Sequence, residues 1–321
     1  MHVWRGAMGK VAFLFPGQGS QIVGMGKNYA RRFGNDFESI FEEAGDALGF
    51  DIRQLCYAGP ERDLMKTEFA QPAIVTVSSG ILRVLVREGL CPDIVAGHSV
   101  GQFSALVAAG VLSFADAVKL VRKRGEFMAA VQTPGTMAAV VVSQPEQMSQ
   151  VTALVKEMDL DIAGKNTPSQ IVVSGANHVV PMLLEQLQAI QGIKTKPLAV
   201  SHAFHSRLMF EMEEPLMAYA EGLSFYDAQI PVVLNKSAKV TTAVADVMED
   251  IRAQCTQPVA WSQTIEAIGQ YEVQHVIEVG AGNTLTGMMR SFGSHWKGQS
   301  TNSPMELEKV LQLMRKFKEG A

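Results

Sequence analysis

The stretch VAGHSVGQFSALVAAG, residues 95–110, sets a serine between two glycines, behind two small apolar residues and ahead of an apolar, alanine-rich run. Residues 93–96 read as the end of a buried parallel strand and residues 100–109 as a helix packed on it. Gly97 and Gly101 supply the permissive backbone of a sharp strand-to-helix turn. In such an elbow the Ser99 side chain stands clear at the top of the sheet, beside the unpaired N–H groups of the helix's first turn. The plainer reading makes Ser99 a helix N-cap. The flanking strand and helix favour a nucleophile, which then needs a base, an oxyanion site and a substrate handle.

The rest of the chain agrees with an α/β fold. Apolar β-rich segments (KVAFLF, DIVAG) alternate with helical ones, the pattern of a sheet covered on both faces. Between residues 131 and 200 the texture changes to TMAAVVV, PEQMSQVTALVKEM, LDIAGKNT, QIVVSG, HVVPMLLEQLQAI and TKPLAV. That is β-α-β-β-α-β, the order of a ferredoxin-like unit. IPVVLN and HVIEVG then resume parallel-type strands. The expected organisation is therefore an α/β-hydrolase-like large domain over 8–130 and 201–295 with a parallel sheet and nucleophile elbow. A ferredoxin-like small domain is inserted over 131–200, and a turn-rich linker and C-terminal helix follow over 296–321. An inserted domain meets its host along a cleft, where ligands sit.

With 321 residues, 47% hydrophobic and 19% charged, the chain can bury a sizeable core. A net charge of −4 argues against non-specific nucleic-acid binding. Cys56, Cys91 and Cys255 lack disulfide or zinc spacing, which fits a reducing compartment, so cytoplasm is the expected location. The first residues hold no apolar stretch long enough for a signal peptide, and residues 1–7 are expected to lie outside the fold, poorly ordered. No apolar run of about 18 residues is evident, so no membrane span is expected.

Seven histidines could serve as the base: His2, His98, His178, His202, His205, His275 and His295. His98 adjoins Ser99 in the elbow and is badly placed to take its proton. His202 and His205, in VSHAFHSRLM, follow the small unit where the chain re-enters the large one, facing the cleft. Their HxxH spacing would suit a metal pair, but no third ligand lies near in sequence, and no metal is expected. FPGQGSQ, residues 15–21, follows the first strand and brings backbone N–H groups close to a ligand, as an anion nest or half an oxyanion hole. It lacks the GK[ST] ending of a phosphate loop. In KLVRKRGEFM, Arg122 and Lys123 read as a solvated basic face. Arg124, one turn beyond Leu120 and Val121 and next to Gly125, can turn inward and grip a substrate carboxylate.

FPGQGSQ, GHSVG with its following SALVAAG, RKRGEFM, NTPSQIVVSG, SHAFHS, PVAW and EVGAGNTLTGM stand in the order seen in malonyl-CoA:acyl carrier protein transacylases, and the chain resembles that family over residues 9–290. HAFH looks more like the malonyl-selective acyltransferases of polyketide assembly lines than the fatty-acid enzyme. A free-standing chain of this length then resembles a trans-acting acyltransferase. By that resemblance Ser99 is the acylated serine and His205 the general base. The backbone N–H groups of Gln18 and Val100 form the oxyanion hole, and Arg124 pairs with the malonyl carboxylate. Phe204 crowds the malonyl α-carbon, and Asn166 lines the cleft from the small domain. His98 and His202 complete the substrate-binding set. The family orients its base with a backbone carbonyl, expected here from PVAW, so Glu278 is not a triad acid. Gln102 stands where glutamate is usual, and Lys165 where an uncharged residue is common, which would put a cation near the substrate mouth.

The resemblance implies a ping-pong transfer of malonyl from malonyl-CoA to the phosphopantetheine thiol of an acyl carrier protein. It implies no metal or redox cofactor, a monomer, and neither nucleic acid nor membrane as partner. An acyl hydrolase on the same fold is the alternative, expected to lack the carboxylate-gripping arginine. A non-catalytic docking module is the other, expected to lack Ser99 or His205.

Overall fold

The computed structural model describes residues 9–293 and 298–319. Residues 1–7, expected to be poorly ordered, lie outside the described residues. The strands in chain order are β1 (Lys10–Phe15), β2 (Ile94–Gly97), β3 (Gly135–Val142), β4 (Asp161–Thr167), β5 (Gln170–Ala176), β6 (Ile193–Pro197), β7 (Val232–Val233), β8 (Val240–Thr241), β9 (Val273–Glu278) and β10 (Gly298–Ser300).

The larger sheet has the order β10-β9-β1-β2-β7-β8, parallel except for the short β7–β8 pair. Its two central strands, β1 and β2, are buried along nearly their whole length. Strands covered on both faces read as continuous apolar runs, which is why KVAFLF and IVAG lack alternation. The helix Thr67–Arg87 packs within the main core against Phe114–Ala130. By length and composition it could cross a membrane, contrary to the reading that no such run exists. In the fold 83% of its apolar window is buried, so it is a core helix.

The second sheet, order β4-β5-β3-β6, is antiparallel and lies in sequence between β2 and β7. Counted within the unit this is 2-3-1-4, the ferredoxin-like arrangement. The helices Gln147–Glu157 and Val179–Gln188 supply its separate apolar core, through Val151, Val155, Leu183 and Leu187 among others. Its last strand ends earlier than the expected TKPLAV: β6 stops at Pro197, and only the Leu198 N–H reaches on to the Met137 carbonyl of β3, at 2.9 Å.

The stretch expected to be a turn-rich linker contains β10, which pairs in parallel with the edge of β9 from Gly298↔Val276 to Ser300↔Glu278. The open edge of β9 offers backbone partners that override the turn-like composition of GQSTNSP. The helix Pro304–Glu319 follows and docks on the body through Leu307, Val310, Leu311 and Met314.

The carboxyl ends of β1 and β2 lie side by side, with Phe15 opposite Gly97. The loop after β1 and the turn after β2 therefore emerge together, where open α/β sheets bind their ligands.

Candidate active site

The turn after β2 tolerates no side chain at its glycines. A Cβ on Gly97 would lie 2.0 Å from the Gly101 carbonyl carbon, and one on Gly101 would lie 2.1 Å from the Phe15 carbonyl oxygen. Between them Ser99 takes φ 52°, a left-handed conformation strained for a residue with a Cβ. Two bonds from Asn235 brace the strain: its Oδ1 accepts from the Ser99 N–H at 2.8 Å and its Nδ2 donates to the Gly97 carbonyl at 2.7 Å.

Ser99 Oγ lies 2.7 Å from His205 Nε2. His205 has φ 55° and is buried. Its segment is pinned by Ser174 Oγ donating to the Phe204 carbonyl at 2.9 Å and by Ser206 Oγ donating to the Ala203 carbonyl at 2.6 Å. His205 Nδ1 lies 2.8 Å from the Gln254 carbonyl oxygen. A carbonyl only accepts, so Nδ1 carries the proton and Nε2 presents a lone pair to the serine hydroxyl. Burial, and secondly the Arg124 cation, push the imidazole pKa down to about 3.

The orienting carbonyl belongs to Gln254 and not to PVAW, residues 258–261, as expected from sequence. PVAW is occupied elsewhere: Val259 donates to the Ala163 carbonyl and accepts from the Lys165 N–H, both at 2.9 Å, joining it to β4. Glu278 caps the helix Thr284–Met289, accepting from the N–H groups of Leu285 and Thr286 and from Thr286 Oγ1.

The loop after β1 folds against the elbow so closely that a Cβ on Gly17 would lie 2.4 Å from the His98 carbonyl oxygen. Thr67 Oγ1 holds the Gln18 side chain at 3.0 Å, and Ser20 bonds back to the Gly17 carbonyl. Among the described residues no acceptor bonds the backbone N–H of Gln18 or of Val100. The Ser99 N–H, by contrast, is committed to Asn235.

Arg124 does turn inward. Gly125 lets its helix approach Thr67–Arg87, since a Cβ there would lie 2.5 Å from Glu68 Cα. The guanidinium is buried, donating to Gln71 Oε1 at 2.7 Å and Gln254 Oε1 at 2.9 Å, with Nη2 3.5 Å from Ser99 Oγ. None of the ion pairs among the described residues includes it, and burial lowers its pKa to about 10. Arg122 and Lys123 instead pair with Glu126 at 2.7 and 2.8 Å.

These groups open into a cavity of about 360 Å³, walled by Met65, Met128, Met137, Leu198, Val200 and Met288 and also lined by Gln18, His98, Asn166 and Phe204. His98 Nε2 lies 2.9 Å from Asn166 Oδ1, tying the elbow to β4 of the small sheet, and its ring meets Trp261 edge-on at 5.3 Å. His202, expected on the cleft wall, does not line the cavity. It lies behind Phe204, stacked at 6.1 Å, with Nε2 3.1 Å from the Val131 carbonyl oxygen. Lys165 also misses the cavity: Asn166 lines it while Lys165 is exposed, in a stretch of β4 whose register is shifted on both sides of Lys165. Among the described residues no group of three His, Cys, Asp or Glu is placed to hold a metal.

Gln71, Asn235, Asp250 and Gln254 were missed by sequence reasoning. Asn235 had one available signal, its place just after the strand IPVV beside β2. The other three lie inside helices or at a helix end, and the bonds that join them to Arg124, Asn235 and His205 span 15 or more residues.

The chain matches the acyl transferase domain family over residues 12–319. It is 38% identical over 318 residues to a malonyl CoA-acyl carrier protein transacylase of Bacillus subtilis (strain 168), covering 98% of this chain and 100% of that one. Among solved structures it resembles FabD of Acinetobacter baumannii with a TM-score of 0.90 at 33% identity, covering 97% of this chain and 99% of that one. It also resembles a malonyl-transacylase in complex with a type II PKS acyl-carrier protein, TM-score 0.89 at 33% identity, covering 95% and 99%.

Proposed function

The chain belongs to the acyl transferase domain family, and from that premise we propose that it carries malonyl from malonyl-CoA to the phosphopantetheine thiol of an acyl carrier protein through a malonyl-Ser99 intermediate. The observation that carries the reading is Arg124: a buried cation with amide partners only, whose Nη2 sits 3.5 Å from Ser99 Oγ. A buried charge needs a counter-charge, and an acyl group ending in a carboxylate brings one. A hydrolase of neutral acyl groups has no use for it, and a docking module has no use for the Ser99–His205 pair.

In the first half-reaction His205 Nε2 takes the Ser99 proton as Oγ attacks the thioester carbonyl. The oxyanion develops beside the Gln18 and Val100 N–H groups, which hold it because they are already oriented. His205 then returns the proton to the departing CoA thiolate. In the second half-reaction the carrier thiol gives its proton to His205 and attacks the malonyl-serine ester, and His205 Nε2 passes that proton to Ser99 Oγ as the ester bond breaks. Bonds and protons balance without a metal or a redox group, and none is proposed.

The setting proposed for this transfer is polyketide synthesis. The HAFH sequence at residues 202–205 and the likeness to a transacylase seen with a type II PKS carrier support that setting. The experiment is to load the protein with malonyl-CoA and offer it carriers from fatty-acid and from polyketide pathways. Faster unloading onto the polyketide carrier is expected, and preference for the fatty-acid carrier reverses the assignment.

A further inference from the structure

Four buried side chains behind the active site form a one-way hydrogen-bond relay. Arg124 Nη2 donates to Gln254 Oε1 at 2.9 Å, Gln254 Nε2 to Gln102 Oε1 at 3.0 Å, and Gln102 Nε2 to Asp250 Oδ2 at 2.9 Å. All four residues are at most 3% exposed. A guanidinium only donates and a carboxylate only accepts, so the two ends force both amides to turn their oxygens toward Arg124.

We infer that Asp250 is a positioning residue, the remote counter-charge of Arg124, which acts through Gln102 and Gln254 to hold the guanidinium aimed while leaving it free of any direct carboxylate partner. The place of that partner is kept for the carboxylate of the substrate, so the inference rests on the malonyl-transfer reading.

Three donors bond the Asp250 carboxylate and favour its charged form: Gln102 Nε2, the Asn235 N–H at 3.0 Å and the Lys236 N–H at 2.9 Å. They oppose the burial that raises its pKa. A carboxylate at position 254 would bond Arg124 directly and compete with the substrate, and a glutamate at 102 would repel Asp250 as long as Asp250 keeps its own carboxylate. The two neutral amides of Gln254 and Gln102 stand between the Asp250 carboxylate and the guanidinium. Gln254 makes the relay matter for chemistry. Its Nε2 also lies 3.3 Å from the Ser99 carbonyl oxygen, and its own carbonyl accepts from His205. An amide that flips there turns an N–H toward Arg124.

The test compares wild type with Asp250→Asn and with the double variant Gln102→Glu/Asp250→Asn, measuring kcat and KM for malonyl-CoA and acetyl-CoA with one carrier protein. The single variant lets the amides reverse. It is expected to lose about tenfold or more in kcat/KM for malonyl-CoA, chiefly through KM, because a charge-assisted bond that orients the carboxylate grip is lost. Acetyl-CoA, which has no carboxylate to grip, is expected to change much less. The double variant restores a carboxylate to the relay and is expected to recover most of the malonyl activity. Equal losses for both esters, or a double variant no better than the single, overturn the inference and leave Asp250 a cap on residues 235–236. If Asp250→Asn does not fold, Gln102→Met cuts the relay with Asp250 in place, and the same selective or unselective loss decides. A wild type that takes no malonyl group overturns the functional reading instead.

Discussion

Ser99 Oγ and His205 Nε2 stand 2.7 Å apart, and both residues hold left-handed backbone, φ 52° and φ 55°. Two strained residues facing each other need a surround that fixes both. Asn235 supplies it for the serine, and the Gln254 carbonyl with the pinned 203–206 segment supplies it for the histidine.

Among the described residues only His205 has its ring nitrogen within hydrogen-bond reach of Ser99 Oγ. His205→Ala is expected to slow single-turnover acylation by roughly two to four decades, the usual loss of a general base. His202→Ala removes a ring stacked behind Phe204 and is expected to cost far less. Comparable losses would assign the base to the wrong histidine.

Arg124→Ala is expected to abolish the preference for malonyl-CoA while leaving or improving use of acetyl-CoA. Deleting one partner of a buried charge pair costs about 3–5 kcal/mol, so the malonyl-to-acetyl ratio of kcat/KM should move by about two decades or more. An unchanged ratio removes Arg124 from substrate recognition.

The depressed pKa of His205 gives two pH expectations. In the free protein the imidazole is held neutral far below its ordinary value, so kcat/KM for malonyl-CoA, which reports the free enzyme, should be level from about pH 5 to about pH 8, and a fall centred near the ordinary value of 6.5 contradicts the burial argument. The sign for stability follows: between 6.5 and about 3 the unfolded chain binds a proton that the folded chain refuses. The contribution is therefore fully present above the unfolded value and lost as pH falls through that window. Equilibrium unfolding across the acid range reads it, and stability that rises on acidification there would be the wrong sign.

Phe204 lines the cavity next to His205, so an added methyl on the malonyl α-carbon is expected to meet a ring. A pocket discriminates one methyl by about 1–3 kcal/mol, so malonyl should be preferred over methylmalonyl by roughly 10- to 200-fold. Phe204→Ser is expected to relax that ratio, with some loss of overall rate. A competition assay with both CoA esters checks it, and equal loading by wild type, or an unmoved ratio in the variant, defeats the crowding argument.

What the sequence made legible is what short-range sterics impose. Gly97 and Gly101 must be glycine because backbone lies 2.0–2.1 Å from where a Cβ would be, and that local demand announces the elbow and its serine. The ferredoxin-like unit was legible from its strand and helix periods alone. The carbonyl that orients His205 was not, because every residue has a carbonyl and only the fold decides that the one at Gln254 arrives there. For the same reason the turn-like GQS became β10 once the edge of β9 lay beside it. His202 and His205 share one short motif, but only His205 occupies the left-handed position that turns its ring to Ser99.

The central claim is that malonyl passes through Ser99. Intact-mass measurement after incubation with malonyl-CoA tests it most directly. Wild type is expected to gain a single malonyl group that a phosphopantetheine-bearing carrier then removes, and Ser99→Ala to gain none. A malonyl adduct persisting on Ser99→Ala, or transfer to the carrier that survives that substitution, would contradict the account.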